Sequence, residues 1–321
     1  MSEVRYDLIT GKIAIISTER SKRPHDFKIV HAEKKNTLCP FCPGNEELTP
    51  PTLIEYKDED GMWKLRGFSN KFAALNKDTD DVLDSFYNSE YGYGVAEIIV
   101  ESPDHDATLG KLSIEQIKDI FSALKVRYNK ISEDKKIKYV QMFKNFGARG
   151  GASLEHGHWQ IIATSFIPDF IEKEVMGTQK YIKQNGNCPY CDIIKHEQTE
   201  KIRIVSENED FIAICPYASQ YAYEVMILPK KHCEHFKDID SKSLKSLANI
   251  FKPIIEKYED EFNMPPYNVV ISTLPVNDDR NYHWHMSIYP RLTIAAGFEL
   301  ATGVYINPVS PEMATTVLKI D

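Results

Sequence analysis

The chain has 321 residues, 42% of them apolar and 27% charged, proportions of a folded globular protein that exclude intrinsic disorder. Its 39 basic and 47 acidic residues leave a net charge of −8, which excludes a general binder of nucleic-acid backbones. No apolar run is long enough to span a bilayer, and the start, Met1-Ser-Glu-Val-Arg-Tyr-Asp7, lacks the apolar core of a signal peptide.

A cytoplasmic location is therefore expected, where the six cysteines are metal ligands or plain thiols rather than disulfides. Taken in chain order, the first marked feature is Cys39-Pro-Phe-Cys42. An apolar strand over 96–105 then ends in His105. Ser113-Ile-Glu-Gln116 reads as a capping box opening a helix, with Ile114, Ile117, Ile120, Phe121 and Leu124 at helical spacing behind it. A strand over 138–143 and a strand opened by His156-Gly-His158 follow. Periodicity weakens between 165 and 187, around Pro168 and the polar Gln184-Asn-Gly-Asn187.

The succession then recurs. Cys188-Pro-Tyr-Cys191 precedes a strand, 224–232, that ends in His232. Leu244, Leu247, Ile250, Phe251 and Ile254 mark a helix, 268–273 a strand, and His283-Trp-His285 the last histidine pair. His105 to His156 is 51 residues, as is His232 to His283, and the offset between the halves is 127 at both. Ile117 and Leu244 repeat that offset. Register kept over such a length implies an internal duplication. The expected fold is α+β: two tandem modules, 1–170 and 171–321, each an antiparallel sheet with packed helices.

Tetrahedral zinc takes four thiolate or imidazole ligands, and Cys-x-x-Cys supplies two of them from one turn. The candidate sets are Cys39, Cys42, His105 and His156, and Cys188, Cys191, His232 and His283. A redox reading of Cys-x-x-Cys predicts no paired histidines. Cys215, Cys233, His25, His31, His196 and His235 have no repeat partner and no assigned role.

Only the first histidine pair sits in a small-residue loop, Lys144-Asn-Phe-Gly-Ala-Arg-Gly-Gly-Ala-Ser-Leu-Glu155. Gly147, Gly150, Gly151 and Ala152 would let a ligand approach, with backbone N–H groups cradling an anion. Strand alternation puts His156, His158 and Gln160 on one face. With His156 on the metal, His158 is anchored nearby and able to attack phosphorus, while Gln160 and Ser153 donate to phosphoryl oxygens. The second half reads as scaffold and metal site.

These residues resemble the galactose-1-phosphate uridylyltransferase family of the histidine-triad superfamily over roughly residues 5–315. The family signature, His-Pro-His-Gly-Gln or a close variant preceded by Asn and Gly-x-Ser, stands here as Asn145, Gly151-Ala-Ser153 and His156-Gly-His158-Trp-Gln160. The resemblance gives His158 as nucleophile, supports Cys39, Cys42 and His156 as zinc ligands, and matches Ser102-Pro-Asp-His105. It also implies phosphate and nucleoside contacts from Arg20 and Arg23 in Arg20-Ser-Lys-Arg23-Pro24, and from Asn70 and Phe72 in Asn70-Lys-Phe72-Ala-Ala-Leu75. Gly297-Phe298-Glu299 is similar to the hexose-contacting segment.

Gly157 and Trp159 replace the family's usual Pro and Gly, so the loop is expected to be bulkier beside the nucleophile and Trp159→Gly to shift substrate choice. Leu300-Ala-Thr-Gly-Val-Tyr-Ile-Asn-Pro308 and the second zinc set, with Pro229-Lys-Lys-His232, look more like the ADP-glucose phosphorylase branch. The resemblance thus implies a two-zinc, homodimeric nucleotidyltransferase moving a nucleoside monophosphate from a nucleotide sugar to a sugar 1-phosphate or phosphate. The alternatives are an ADP-glucose-type phosphorylase, a superfamily hydrolase of dinucleotides or adenylated amines, and a non-catalytic zinc-stabilised nucleotide-binding module.

Overall fold

The computed structural model describes residues 2–18, 38–77 and 92–320. The first strands are β1 (Glu3–Tyr6), β2 (Ile13–Ile16), β3 (Thr52–Lys57), β4 (Trp63–Ser69) and β5 (Gly94–Val100). Helix α1 (Ile114–Ser132) leads to β6 (Tyr139–Phe146) and β7 (His158–Thr164), and α2 (Asp169–Asn185) and α3 (Pro189–Glu200) follow. The second half continues with β8 (Ile204–Glu207), β9 (Phe211–Ile214), β10 (Val225–Pro229), α4 (Ser241–Glu261), β11 (Tyr267–Ser272) and β12 (His285–Pro290). It closes with α5 (Gly297–Thr302), β13 (Tyr305–Asn307) and α6 (Pro311–Leu318).

Ten strands form one sheet in the order β3-β4-β5-β7-β6-β11-β12-β10-β9-β8. Read from the centre outward the order is palindromic: β6 and β11, β7 and β12, and β5 and β10 hold matching places. The two expected half-sheets are therefore present but fused, through antiparallel pairing of Phe146 with Tyr267 to Met142 with Ile271. Fusion removes two exposed strand edges, each a row of unpaired backbone groups. A three-stranded sheet, β1-β2-β13, ties the N-terminus to the C-terminus.

Strand alternation separates the two faces of the large sheet. One buries Trp159, Ile161, Trp284 and Met286 against α1 and α4, where Phe121 meets Phe251 edge-on at 5.4 Å. The apolar positions read as helical in the sequence supply this layer: Ile117, Ile120, Phe121 and Leu124 from α1, and Leu244, Leu247, Ile250, Phe251 and Ile254 from α4. The opposite face carries His158 and Gln160 in the first half and His285, Ser287 and Tyr289 in the second.

Three local findings differ from the expectation. Ser113 caps α1 by accepting from the Gln116 N–H, but the Gln116 side chain donates to the carbonyls of Lys64 and Glu101, so the box is only half formed. The weakly periodic join holds a 17-residue helix, α2, because Glu174 and Thr178 share its buried stripe with Ile171 and Val175 and blur the apolar pattern. The third is the terminal sheet, whose strands are only three or four residues long.

Candidate active site and metal centres

The turn that carries Cys39 and Cys42, the segment after β5 and the one before β7 bring the first ligand set together. Ligand atoms of Cys39, Cys42, His105 and His156 all lie within 4.8 Å of one another, as do those of Cys188, Cys191, His232 and His283. Cys39 Sγ and Cys42 Sγ are each 3.6 Å from His156 Nδ1, and Cys42 Sγ is 3.4 Å from His105 Nδ1. In the second set the sulfur–nitrogen distances are 3.5 to 3.8 Å. A tetrahedral zinc with ordinary bond lengths needs S···N edges of ~3.6 Å.

The tautomers fit as well. His156 Nε2 is 2.8 Å from the Ser102 carbonyl and His283 Nε2 is 2.8 Å from that of Pro229. A carbonyl only accepts, so both nitrogens carry hydrogen, and each Nδ1 lone pair points at the cysteines, the outer-shell arrangement of a metal-bound imidazole. All four cysteines are free thiols. Hydrogen bonds with Cys191 and His283 hold the Cys188 thiol down and Cys188 in turn pushes Cys191 up, while burial, with Cys39 beside it, raises the Cys42 thiol.

His156 precedes β7 rather than standing on it, and His158 is the first residue of the strand. His158 Nδ1 donates to the His156 carbonyl at 2.8 Å, and Phe41 packs against the imidazole edge-on, 5.3 Å away. This hydrogen bond fixes the Nδ1–H tautomer and directs a lone pair out of Nε2, which has no hydrogen-bond partner among the described residues. Burial pulls the imidazole down to about 4, so it is neutral at physiological pH. Gln160 follows two residues along the same face.

His285 begins the same way, with Nδ1 3.2 Å from the His283 carbonyl. Its Nε2, however, faces Glu174 Oε1 at 3.4 Å, on a carboxylate that also accepts from the Tyr190 hydroxyl. Helix α2 therefore caps the nitrogen that stays unpaired in His158. Glu174 lies in the weakly periodic join, and the sequence carries no signal for it.

Asn145, at the end of β6, accepts from the Asn268 amide at 2.8 Å, and the same amide group reaches the Gly150 carbonyl at 2.6 Å. Asn268 is a second-half residue that sequence reasoning missed; its only sequence signal is its place in the repeated strand. The glycine loop differs from expectation. With Gly147 at φ 71° and Gly151 at φ 83°, the turn is tight enough that the N–H groups of Gly150, Gly151 and Ala152 donate to the carbonyls of Gly147 and Ala148. These three amides are spent inside the loop and are not free to cradle an anion. Ser153 is exposed beyond them.

Trp159 also corrects the expectation. It points through the sheet to the helix side, fully buried and edge-on to Phe121 at 5.9 Å, and adds no bulk beside His158. Gly157 has a structural reason: a Cβ there would meet Glu101 Oε2 at 2.4 Å. That carboxylate is in a fully buried ion pair with Lys144, 2.7 Å away.

Asn70 accepts from the Phe72 N–H in a turn after β4, which leaves the Phe72 ring 86% exposed. Gly297, Phe298 and Glu299 form the first turn of α5, closed by Glu299 on the Ala296 N–H and packed on β13; they share no hydrogen bond with the β7 cleft. Arg20 and Arg23 lie outside the described residues. Cys215 is buried and Cys233 Sγ donates to the His235 carbonyl, so neither joins a ligand set.

Residues 1–168 match the family described as galactose-1-phosphate uridyl transferase, N-terminal domain, and residues 174–301 match its C-terminal domain. The chain belongs to the galactose-1-phosphate uridylyltransferase family. It is an enzyme of the nucleotidyltransferase class. It is 35% identical to ADP-glucose phosphorylase of Arabidopsis thaliana over 328 residues, covering 99% of this chain and 92% of the relative. It is 30% identical to galactose-1-phosphate uridylyltransferase of Thermotoga maritima over 332 residues, covering 99% and 98%. The crystal structure of the Arabidopsis ADP-glucose phosphorylase with bound ADP-glucose superposes with a TM-score of 0.87 at 33% identity, covering 100% of this chain and 99% of that one.

Proposed function

We propose that the chain moves a nucleoside monophosphate from a nucleotide sugar to a sugar 1-phosphate or to phosphate through a covalent adduct on His158. The observation that carries this reading is the unpaired Nε2 of a neutral His158, whose other nitrogen is held by the backbone of His156. Nε2 attacks the α-phosphorus, and the P–O bond to the sugar phosphate breaks with its electron pair leaving on that oxygen. A phosphate oxygen of the acceptor then attacks the same phosphorus, and the P–N pair returns to His158. Gln160 and Ser153 donate to the phosphoryl oxygens, with Asn145 beside them. Asn70 and Phe72, with Arg20 and Arg23, seat the nucleoside and its phosphates.

Cys39, Cys42, His105 and His156 would hold a zinc that fixes the loop carrying His156, and Cys188, Cys191, His232 and His283 would hold a second at His283. Gly151 shapes the turn, and Gly297, Phe298 and Glu299 contact the sugar, in keeping with a homodimer whose partner lends that segment. The reading divides the chain into a catalytic half, 1–170, and a scaffold half, 171–321, and places it in the cytoplasm, where the thiols stay reduced.

The test is intact mass after mixing with UDP-glucose or ADP-glucose. An added uridylyl or adenylyl mass on the wild type, absent from His158→Ala, names the base and the route at once. Turnover with phosphate and with galactose 1-phosphate then names the acceptor. His158→Ala should lose at least about 10³-fold in turnover with its metal content unchanged; near-wild-type activity in that variant would refute the assignment.

A further inference from the structure

A cavity of about 650 Å3 opens on the same sheet face in the second half. Ser272, His285, Ser287 and Tyr289 form its floor; α2 and α3 stand over it, and the N-terminal segment from Tyr6 to Lys12 closes one side. By the repeat offset, His285 and Ser287 stand where the first half has His158 and Gln160. The wall chemistry has diverged. We propose that this cavity binds a neutral, unphosphorylated sugar, a mono- or disaccharide, at a site separate from the transfer centre.

Charge excludes the ligand of the first half. Five acids line the cavity, Asp7, Glu174, Asp192, Glu197 and Glu224, against the two cations Lys12 and Arg203. Phosphate oxygens would enter a field of their own sign. A free cation fares little better. Burial, outweighing Glu174, Asp7 and Glu224, holds the Lys12 amine below its ordinary value, and burial pushes the Glu224 carboxyl up to about 7. Desolvation there penalises either sign, which favours an uncharged, hydrogen-bonding ligand.

The wall also has unmet polar groups. Glu174 is 4% exposed and Ser287 1%, yet Glu174 Oε2 and Ser287 Oγ make no hydrogen bond of ordinary geometry, although the Tyr282 and Tyr289 hydroxyls act on these side chains. Groups buried this way in a folded protein are normally paired, and the hydroxyls of a sugar supply what they lack. At the mouth, Tyr6 is 62% exposed and offers a ring for the C–H face of a pyranose. The volume falls in the range of small-molecule sites, roughly 300–1,000 Å3.

The experiment is ligand-detected NMR on the full-length, metal-loaded protein saturated with ADP, using glucose and maltose as probes and glucose 1-phosphate and spermidine as controls. Saturable binding of glucose or maltose in the millimolar range is expected. Ser287→Ala removes an unsatisfied hydroxyl without changing the packing, and Tyr6→Ala alters an exposed ring, so both variants should fold. Each should weaken sugar binding at least about threefold while leaving nucleotidyl transfer unchanged. Lack of saturable sugar binding, binding only of spermidine or glucose 1-phosphate, sugar signals abolished by ADP, or unchanged affinity in both variants would each overturn the proposal. Transfer activity is read separately, so failure here is distinct from failure of His158 as nucleophile.

Discussion

His158 and His285 have the same sequence surroundings at one nitrogen and different ones at the other. Both lean on the carbonyl of a metal-set histidine two residues back, but only His285 meets a carboxylate across the cavity. The two imidazoles therefore part company at Nε2, where Glu174, a helix residue from outside the repeated motif, faces His285. Trp159 gives the residue-scale prediction. Since its indole packs under α1 rather than beside the cleft, Trp159→Gly should cost ~3–5 kcal/mol of stability, as large-to-small core changes do. Folded Trp159→Gly enzyme should keep the wild-type ratio of turnover on competing nucleotide sugars. A changed ratio with unchanged melting temperature would return the indole to the substrate side.

At the scale of elements, the segment from β5 to β7 works as a unit. The Glu101 N–H donates to the Gly157 carbonyl, and Gln116 of α1 holds the Glu101 carbonyl. The Glu101–Lys144 pair then spans β5 and β6 beneath the loop. Lys144→Met strands a buried carboxylate and should cost ~3–5 kcal/mol, measured by denaturant melts. Destabilisation well under that would mean Glu101 is neutral without its partner. Cys191→Ser should reduce bound metal from two ions per chain to one and lower the melting temperature, yet leave nucleotidyl adduct formation on His158. Loss of both ions together would show that the two centres are not independent. The ligand sets were legible in the sequence because a tight turn and a fixed histidine spacing are local properties. Asn268 was not, because its partner Asn145 is reached only by pairing of two strands far apart in sequence. The loop amides misled for a related reason: glycine content says that a turn is tight, not which carbonyls its N–H groups will find.

For the whole molecule, pH acts through buried acids. The Glu224 carboxyl sits at about 7 in the fold, against an ordinary value of 4.5. The unfolded chain releases this proton first, so the contribution of Glu224 to stability falls as pH rises from 4.5 to about 7 and is flat above that. Glu224→Gln keeps a side-chain oxygen for the N–H groups of Gln220 and Tyr221 and has no proton to release. Its stability should decline less than wild type across that interval in melts run at several pH values; superimposable curves would show that Glu224 does not titrate there. The overall α+β duplication was legible from the constant 127-residue offset, whereas the joining of its halves into one sheet was not, since edge pairing leaves no periodic trace.

The seam between β6 and β11 has an evolutionary consequence. Once Asn145 took its anchor from across the join, the ancestral single unit could no longer be recovered by cutting the chain in two. A separated first half would bare β6 as an open edge and leave Asn145 without Asn268. The pairing that fuses the two half-sheets is thus also the one that anchors Asn145.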